Sequence, residues 1–163
     1  MSGLRPHDCR DPRILLATGL GSGFAPRAPG TVGSVVALPI WWFALAGLPF
    51  GVQAAVVAVA IVAGIWVVDG ACRRAGIEDD QHIVLDEWLG VSVALLACPR
   101  ALAPALLGLV LFRAFDIVKP WPISWVDRRV GGGLGVVLDD VLAGVLAACV
   151  LQISLALFDL PGS

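Results

Sequence analysis

The chain is poor in charge, in histidine and in paired cysteine, and each shortage closes a class of function. Charged side chains make up only 15% of its 163 residues, and the formal net charge is -2. It therefore carries neither a basic footprint for nucleic acid nor an acidic tail for a basic partner. Cys9, Cys72, Cys98 and Cys149 are far apart. No zinc or redox spacing can be built from them, and they are expected as small buried side chains. His7 and His82 are isolated, which leaves no histidine pair at metal-ligand spacing and suggests loop histidines facing solvent. The first thirty residues lack the apolar core and cleavage site of a signal peptide, because Ile14 to Ala17 is too short.

What the chain has in excess is apolar surface. Hydrophobic residues reach 58% and the mean hydropathy is +0.89, against about 45–50% apolar in an ordinary soluble domain. The apolar residues fall into five runs: Val35 to Leu48, Val52 to Val68, Trp88 to Cys98, Ala101 to Phe112 and Val141 to Phe158. A membrane-spanning helix needs ~20 such residues, with a range of about 17–25. The second and last runs meet this. The other three are short enough to be re-entrant, to extend into polar neighbours, or to form the core of a soluble bundle. The runs are rich in Ala and Leu, show no period-2 alternation and exceed strand length, so they predict helices. The expectation is an all-α, helical integral membrane protein with about four to five hydrophobic helices, built as a single domain over residues 1–163. Residues 1–13 are expected to be loosely ordered. Glycines and prolines between Leu15 and Ser34 exclude a regular helix there. Six tryptophans near the run ends fit an interfacial belt.

Charge placement sorts the loops. If the chain crosses at each run, the N-terminal segment, residues 69–87 and residues 113–140 share one side. That side carries ten of the eleven cations, all but Arg100, the pattern of a cytoplasmic face. Twelve of the thirteen acids, all but Asp159, fall there too. The topology rule does not require acids to cluster, so their gathering suggests that this face carries chemistry.

Four motifs reach that face. Asp86-Glu87 precedes the third run, and Asp139-Asp140 precedes the last. Each pair fits a helix start, where an acid caps free N–H groups and suits the dipole. Two such pairs on one face also fit a Mg²⁺ site, since carboxylates near a bilayer are costly unless paired or metal-bound. Adjacent residues on a helix point ~100° apart, so one acid of each pair can bind metal while its neighbour orients it. The third motif is Arg113-x-x-Asp116-x-x-Lys119-Pro120. On a helix it sets a carboxylate between two cations, either as an ion-pair ladder or as a phosphate grip. The fourth is the glycine-rich loop from Gly21 to Ser34, with Thr31 to Ser34 opening the first apolar helix. Helix N-termini bind phosphate, although no Gly-Lys-Ser/Thr follows to make a Walker A loop. Asp69 and Arg73 are spaced as an i,i+4 pair.

Three stretches together, LATGLGSGFAPRAPGTVGS, IVLDEWLG and FRAFDIVKPWPISWVDRRVGGGLGVVLDDVLAG, resemble the phosphatidylglycerophosphatase A family over most of the chain. The resemblance implies a bacterial inner-membrane lipid phosphatase with its active site facing the cytoplasm. Such an enzyme converts phosphatidylglycerophosphate to phosphatidylglycerol and phosphate with Mg²⁺. It implies Asp86, Glu87, Asp116, Asp139 and Asp140 as catalytic acids, with Asp86, Glu87, Asp139 and Asp140 on the metal. Thr31, Arg113, Lys119 and Arg128 would hold phosphate, and Asp127 is a second choice among the acids, pairing Arg128 or Arg129. No Cys-x₅-Arg arrangement exists, which argues against cysteine-phosphatase chemistry. A non-enzymatic membrane scaffold or ion-binding carrier is the alternative, and a soluble helical enzyme is a third reading.

Overall fold

The computed structural model describes residues 3–76 and 80–158. Asp79 and Asp159 therefore lie outside the described residues. Every regular element among those residues is helical. The α-helices are α1 (Pro12–Ala17), α2 (Pro29–Ala44), α3 (Phe50–Ala75), α4 (Leu85–Ala94), α5 (Leu102–Val118), α6 (Ile123–Arg129) and α7 (Gly132–Phe158). Two 3₁₀ turns, Pro6–Arg10 and Ser22–Phe24, complete the set. The five apolar runs correspond to α2, α3, α4, α5 and α7, with α1 and α6 as short polar-end additions.

Among the described residues, only α3 and α7 are long and apolar enough to cross a membrane. At 1.5 Å per residue, 26 residues of α3 reach about 39 Å, beyond the ~30 Å of a hydrocarbon core. The 10-residue α4 is too short to cross. α7 is the hub, packing against α3, α4, α5 and α6, while α4 is wedged between α2 and α7. The main core collects Trp41, Val91, Leu95, Phe112, Ala143 and Leu151. The outer surface is apolar as well. Val52, Val56, Val59 and Val62 of α3, Val110 of α5 and Ile153 of α7 all face outward, which suits a lipid surround better than water.

The two ends of the bundle differ. At one end lie α1, α6, the close of α3 and α5, and the starts of α2, α4 and α7. Long-range bonds tie them: the Val84 N–H donates to the Ala17 carbonyl at 2.9 Å, and Arg74 pairs with Asp11. Asp69 and Arg73 form the expected i,i+4 pair at 2.6 Å. At the other end Arg100 stands over the Trp42 ring, 5.7 Å from its centroid. There the Gln53 side chain accepts the Ala97 N–H at 3.3 Å.

Several local expectations are corrected. Residues 3–13 are not loose: Pro6–Arg10 is a 3₁₀ turn, α1 starts at Pro12, and the Leu4 N–H donates to Asp80 at 2.9 Å. The glycine-rich stretch holds part of α1 and the opening turn of α2. Proline at the first helical position costs no hydrogen bond, which lets α2 begin at Pro29. Trp41 is fully buried rather than interfacial, whereas Trp66, Trp121 and Trp125 are exposed. Cys149 is exposed, while Cys72 and Cys98 are buried.

Candidate active site

The acids meet because two glycines let two helices touch. A Cβ on Gly144 of α7 would lie 2.4 Å from the Gly90 carbonyl oxygen. One on Gly90 of α4 would lie 2.4 Å from the Phe112 ring and 2.8 Å from the Asp140 carbonyl. Neither position admits a side chain, so α4 and α7 cross with their backbones in contact, as small residues permit between apolar helices. Glu87 is one turn before Gly90, and Asp140 is one turn before Gly144. The crossing therefore sets these acids against each other.

A cleft of about 470 Å³ opens over this crossing at the polar end. Seven acids line it: Asp80, Asp86, Glu87, Asp116, Asp127, Asp139 and Asp140. Lys119, Gln81, Pro29, Gly30 and the Val130–Gly132 turn also contribute to its wall. Asp86, Glu87 and Asp140 each offer a carboxylate oxygen to a group whose members lie within 4.8 Å of one another. Glu87 Oε2 and Asp140 Oδ2 are buried and accept no hydrogen bond among the described residues. A buried acceptor left without a donor costs about 1–3 kcal/mol, more for a charged group. Burial, then the charges of Glu87 and Asp140, push the Asp86 carboxyl well above the usual aspartate range. Burial also raises Glu87, with Arg113 pulling the other way. Three converging carboxylates, two of them with an orphaned oxygen, fit a hard divalent cation such as Mg²⁺, which takes few carboxylates and keeps several waters.

The cations are placed by backbone turns. Arg113 Nη1 donates to Asp116 Oδ2 at 2.6 Å and stands 4.0 Å from Glu87 Oε1. Its Nη2 reaches Thr31 Oγ1 at 3.4 Å. Lys119 does not continue this stripe. It caps α5 in the left-handed region, with φ +45, a conformation costing about 1–2 kcal/mol for a residue with a Cβ. The turn carries its ammonium to Asp139 Oδ2 at 2.7 Å and to Asp127. Burial opposes the charge, but hydrogen bonds from Lys119 to Asp127 and Asp139 hold the ammonium above the usual lysine range.

Among the residues expected from the sequence, Asp86, Glu87, Asp116, Lys119, Asp139 and Asp140 all line the cleft. Asp139 stands apart from the three-acid group, because Lys119 holds its Oδ2 and its Oδ1 accepts the Asp140 N–H at 3.0 Å. Nor are Asp139 and Asp140 helix caps, since α7 begins at Gly132. Thr31 and Arg113 are not part of the cleft wall and are bonded to each other. Arg128 is exposed on α6, outside the cleft wall. Asp127 pairs with Lys119, not with Arg128 or Arg129. Asp80 and Gln81 were not singled out as site residues by the sequence, and Gly30 entered only as part of the glycine-rich loop. Gly30 has a clear reason to be there: a Cβ would lie 2.3 Å from Glu87 Oε1. Asp80 accepts N–H bonds from Leu4 and His82; although burial works the other way, these bonds hold its carboxyl below the usual range. His82 is half-buried against Asp80 and the Phe24 ring, not solvent-facing.

The phosphatidylglycerophosphatase A family model matches residues 15–155. The chain is 40% identical over 142 residues to phosphatidylglycerophosphatase A of Escherichia coli K12, covering 86% of this chain and 82% of that protein. It is 40% identical over 148 residues to a Bacteroides thetaiotaomicron protein named provisionally as a phosphatidylinositol-3-phosphatase, covering 86% and 92%. Phosphatidylglycerophosphatase A of Haemophilus influenzae is 35% identical over 142 residues, covering 86% and 87%. No solved structure matches the chain.

Proposed function

Because the chain belongs to the phosphatidylglycerophosphatase A family, we propose that it removes the terminal phosphate of phosphatidylglycerophosphate to give phosphatidylglycerol in phospholipid synthesis. In this reading it is an integral membrane phosphatase that uses Mg²⁺, with its cleft on the cytoplasmic side of a bacterial inner membrane. Family membership makes it a phosphatase and sets aside the scaffold and carrier alternatives. The apolar outer surface and the two long helices support the membrane setting. The ten-to-one cation bias supports the orientation, through the positive-inside rule.

One observation carries the reading. Orphaned, buried oxygens of Glu87 and Asp140 converge with Asp86 in a polar cleft at one end of an apolar bundle. A phosphomonoester carries about -1.5 to -2 charge near neutral pH. Seven carboxyl groups and one ammonium line the cleft, and ionised acids in that number would repel such an anion. A divalent cation held by Asp86, Glu87 and Asp140 would offset two of those negative charges and give the phosphate a positive centre to approach. When bound, Mg²⁺ supplies neutralisation of phosphoryl oxygens and acidifies water.

The remaining work falls to the side chains. Lys119 presents an ammonium to the phosphate, and Asp139 fixes its direction. Arg113 holds Asp116 in place and braces Glu87 from behind. Gly30, with no side chain, lets the Glu87 carboxylate lie against the start of α2, where free N–H groups favour anions. The acyl chains would remain in the bilayer against the apolar helix faces, leaving the headgroup at the polar end.

The test is phosphate release by the detergent-purified protein from three lipids: phosphatidylglycerophosphate, phosphatidic acid and phosphatidylinositol 3-phosphate. Release should be fastest from the first and should stop in EDTA. Undiminished release in EDTA would remove Mg²⁺ from the reading. Faster release from the inositol lipid would transfer it to the substrate named for the Bacteroides relative.

A further inference from the structure

Lys119 is the one cationic side chain in the cleft wall among the described residues, and two carboxylates already share it. The two are not equivalent. Asp139 belongs to the hub helix α7, and its side chain is only 10% exposed. Asp127 belongs to the short α6, and its side chain is 41% exposed. α6 is fastened through buried Ile123 and Val126, while Trp121 just before it and Trp125 within it face outward. One partner of Lys119 is thus built into the bundle, and the other hangs from a segment at the surface.

We infer that Asp127 is a displaceable counter-ion, occupying the anion position on Lys119 until the substrate phosphate expels it, while Asp139 keeps its hold. This rests on the reading of the cleft as a phosphomonoester site. It makes Asp127 a specificity-determining residue for that site. Attraction to Lys119 scales with charge. A phosphomonoester dianion outcompetes a carboxylate of single charge, and it brings more acceptor oxygens. A phosphodiester carries one charge and has no such advantage. The product lipid of the proposed reaction is a phosphodiester, so Asp127 would reclaim Lys119 from it and limit product inhibition.

The test compares wild type with Asp127→Asn, and with Asp127→Ser in case the first disturbs α6. Inorganic phosphate binding is measured by calorimetry in detergent with Mg²⁺, and phosphatidylglycerol inhibition is measured in mixed micelles. Both Asp127 variants should bind phosphate about two- to fivefold more tightly, the range open to a partly exposed ion pair. Phosphatidylglycerol should inhibit them at correspondingly lower concentration. Asp139→Asn should move phosphate binding the opposite way. A collapse of kcat in Asp127→Asn with phosphate binding unchanged would make Asp127 a catalytic or metal-binding group and overturn the inference. A lower melting temperature with phosphate binding and inhibition unchanged would reduce Asp127 to a fastening for α6 and also overturn it. If wild type releases no phosphate from phosphatidylglycerophosphate, the substrate reading fails alone; the inorganic phosphate comparison still decides the counter-ion role. No phosphate binding by any form would overturn it.

Discussion

Asp86-Glu87 on α4 and Asp139-Asp140 on α7 are nearly the same motif, and the fold uses them differently. In each, the first carboxylate accepts the N–H of the second residue at 3.0 Å. The α4 pair lies in the first helical turn and sends both acids to the three-acid group. The α7 pair lies about two turns inside its helix and splits. Asp140 joins the group, and Asp139 turns to Lys119. Adjacent helical residues diverge by ~100°, so a pair is shared between whichever neighbours flank it. α4 has acids and Arg113 on its flank, whereas α7 has acids on one side and the α5–α6 corner on the other. An acid pair in a sequence is therefore two separate questions, answered by what packs against each member.

The largest test of that contrast removes charge at constant shape. Glu87→Gln and Asp140→Asn should each cut kcat by several powers of ten while the melting temperature in detergent holds. The double variant should be scarcely worse, since members of one catalytic unit are not additive. Normal phosphate release by Asp140→Asn would dissolve the three-acid group. A smaller effect is expected from Gly30→Ala, whose new Cβ would push Glu87 Oε1 from a distance of 2.3 Å. Relieving that approach takes a shift of about 1 Å, which costs about 10²-fold in rate, and unchanged kinetics would mean that Glu87 is free to move.

Asp139→Asn sharpens the split within α7. It weakens a charged hydrogen bond, worth about 1.5–3 kcal/mol or roughly ten- to hundredfold. The loss should appear mainly in KM, as should that of Lys119→Ala, because both act through the phosphate contact. A collapse of kcat equal to that of Asp140→Asn would instead return Asp139 to the metal set. The smallest effect concerns protons. The raised carboxyls of Asp86 and Glu87 retain protons to higher pH than exposed acids do. A cation must expel them, so Mg²⁺ affinity should climb as pH rises through their titration and level off above it. Calorimetry in buffers of different ionisation enthalpy should register this proton release. Its absence would mean that the acids are ionised before the ion arrives.

Much of the site could be read from the chain because the acids interrupt apolar runs, and an acid there needs a reason. Asp80 could not be distinguished that way. It lies in a polar segment among other acids, and its place in the cleft depends on N–H groups from Leu4 and His82. Lys119 was readable as a cation of the polar face but not as the partner of Asp139. The helical stripe Arg113–Asp116–Lys119 assumes that the helix continues, and α5 ends in a left-handed residue at Lys119. Arg128, plausible by its neighbours, fell outside the wall because α6 turns it outward.

The sequence by itself determined the helical class, the five apolar helices, the family and most of the acids. These follow from composition, period and motif, which are local properties. The tertiary structure alone decided which acids form one group, which cation serves which carboxylate, and that Gly90 and Gly144 make the meeting possible. The physical reason is distance along the chain. Asp86 and Asp140 lie more than fifty residues apart, and only the close crossing of α4 over α7 brings their carboxylates together.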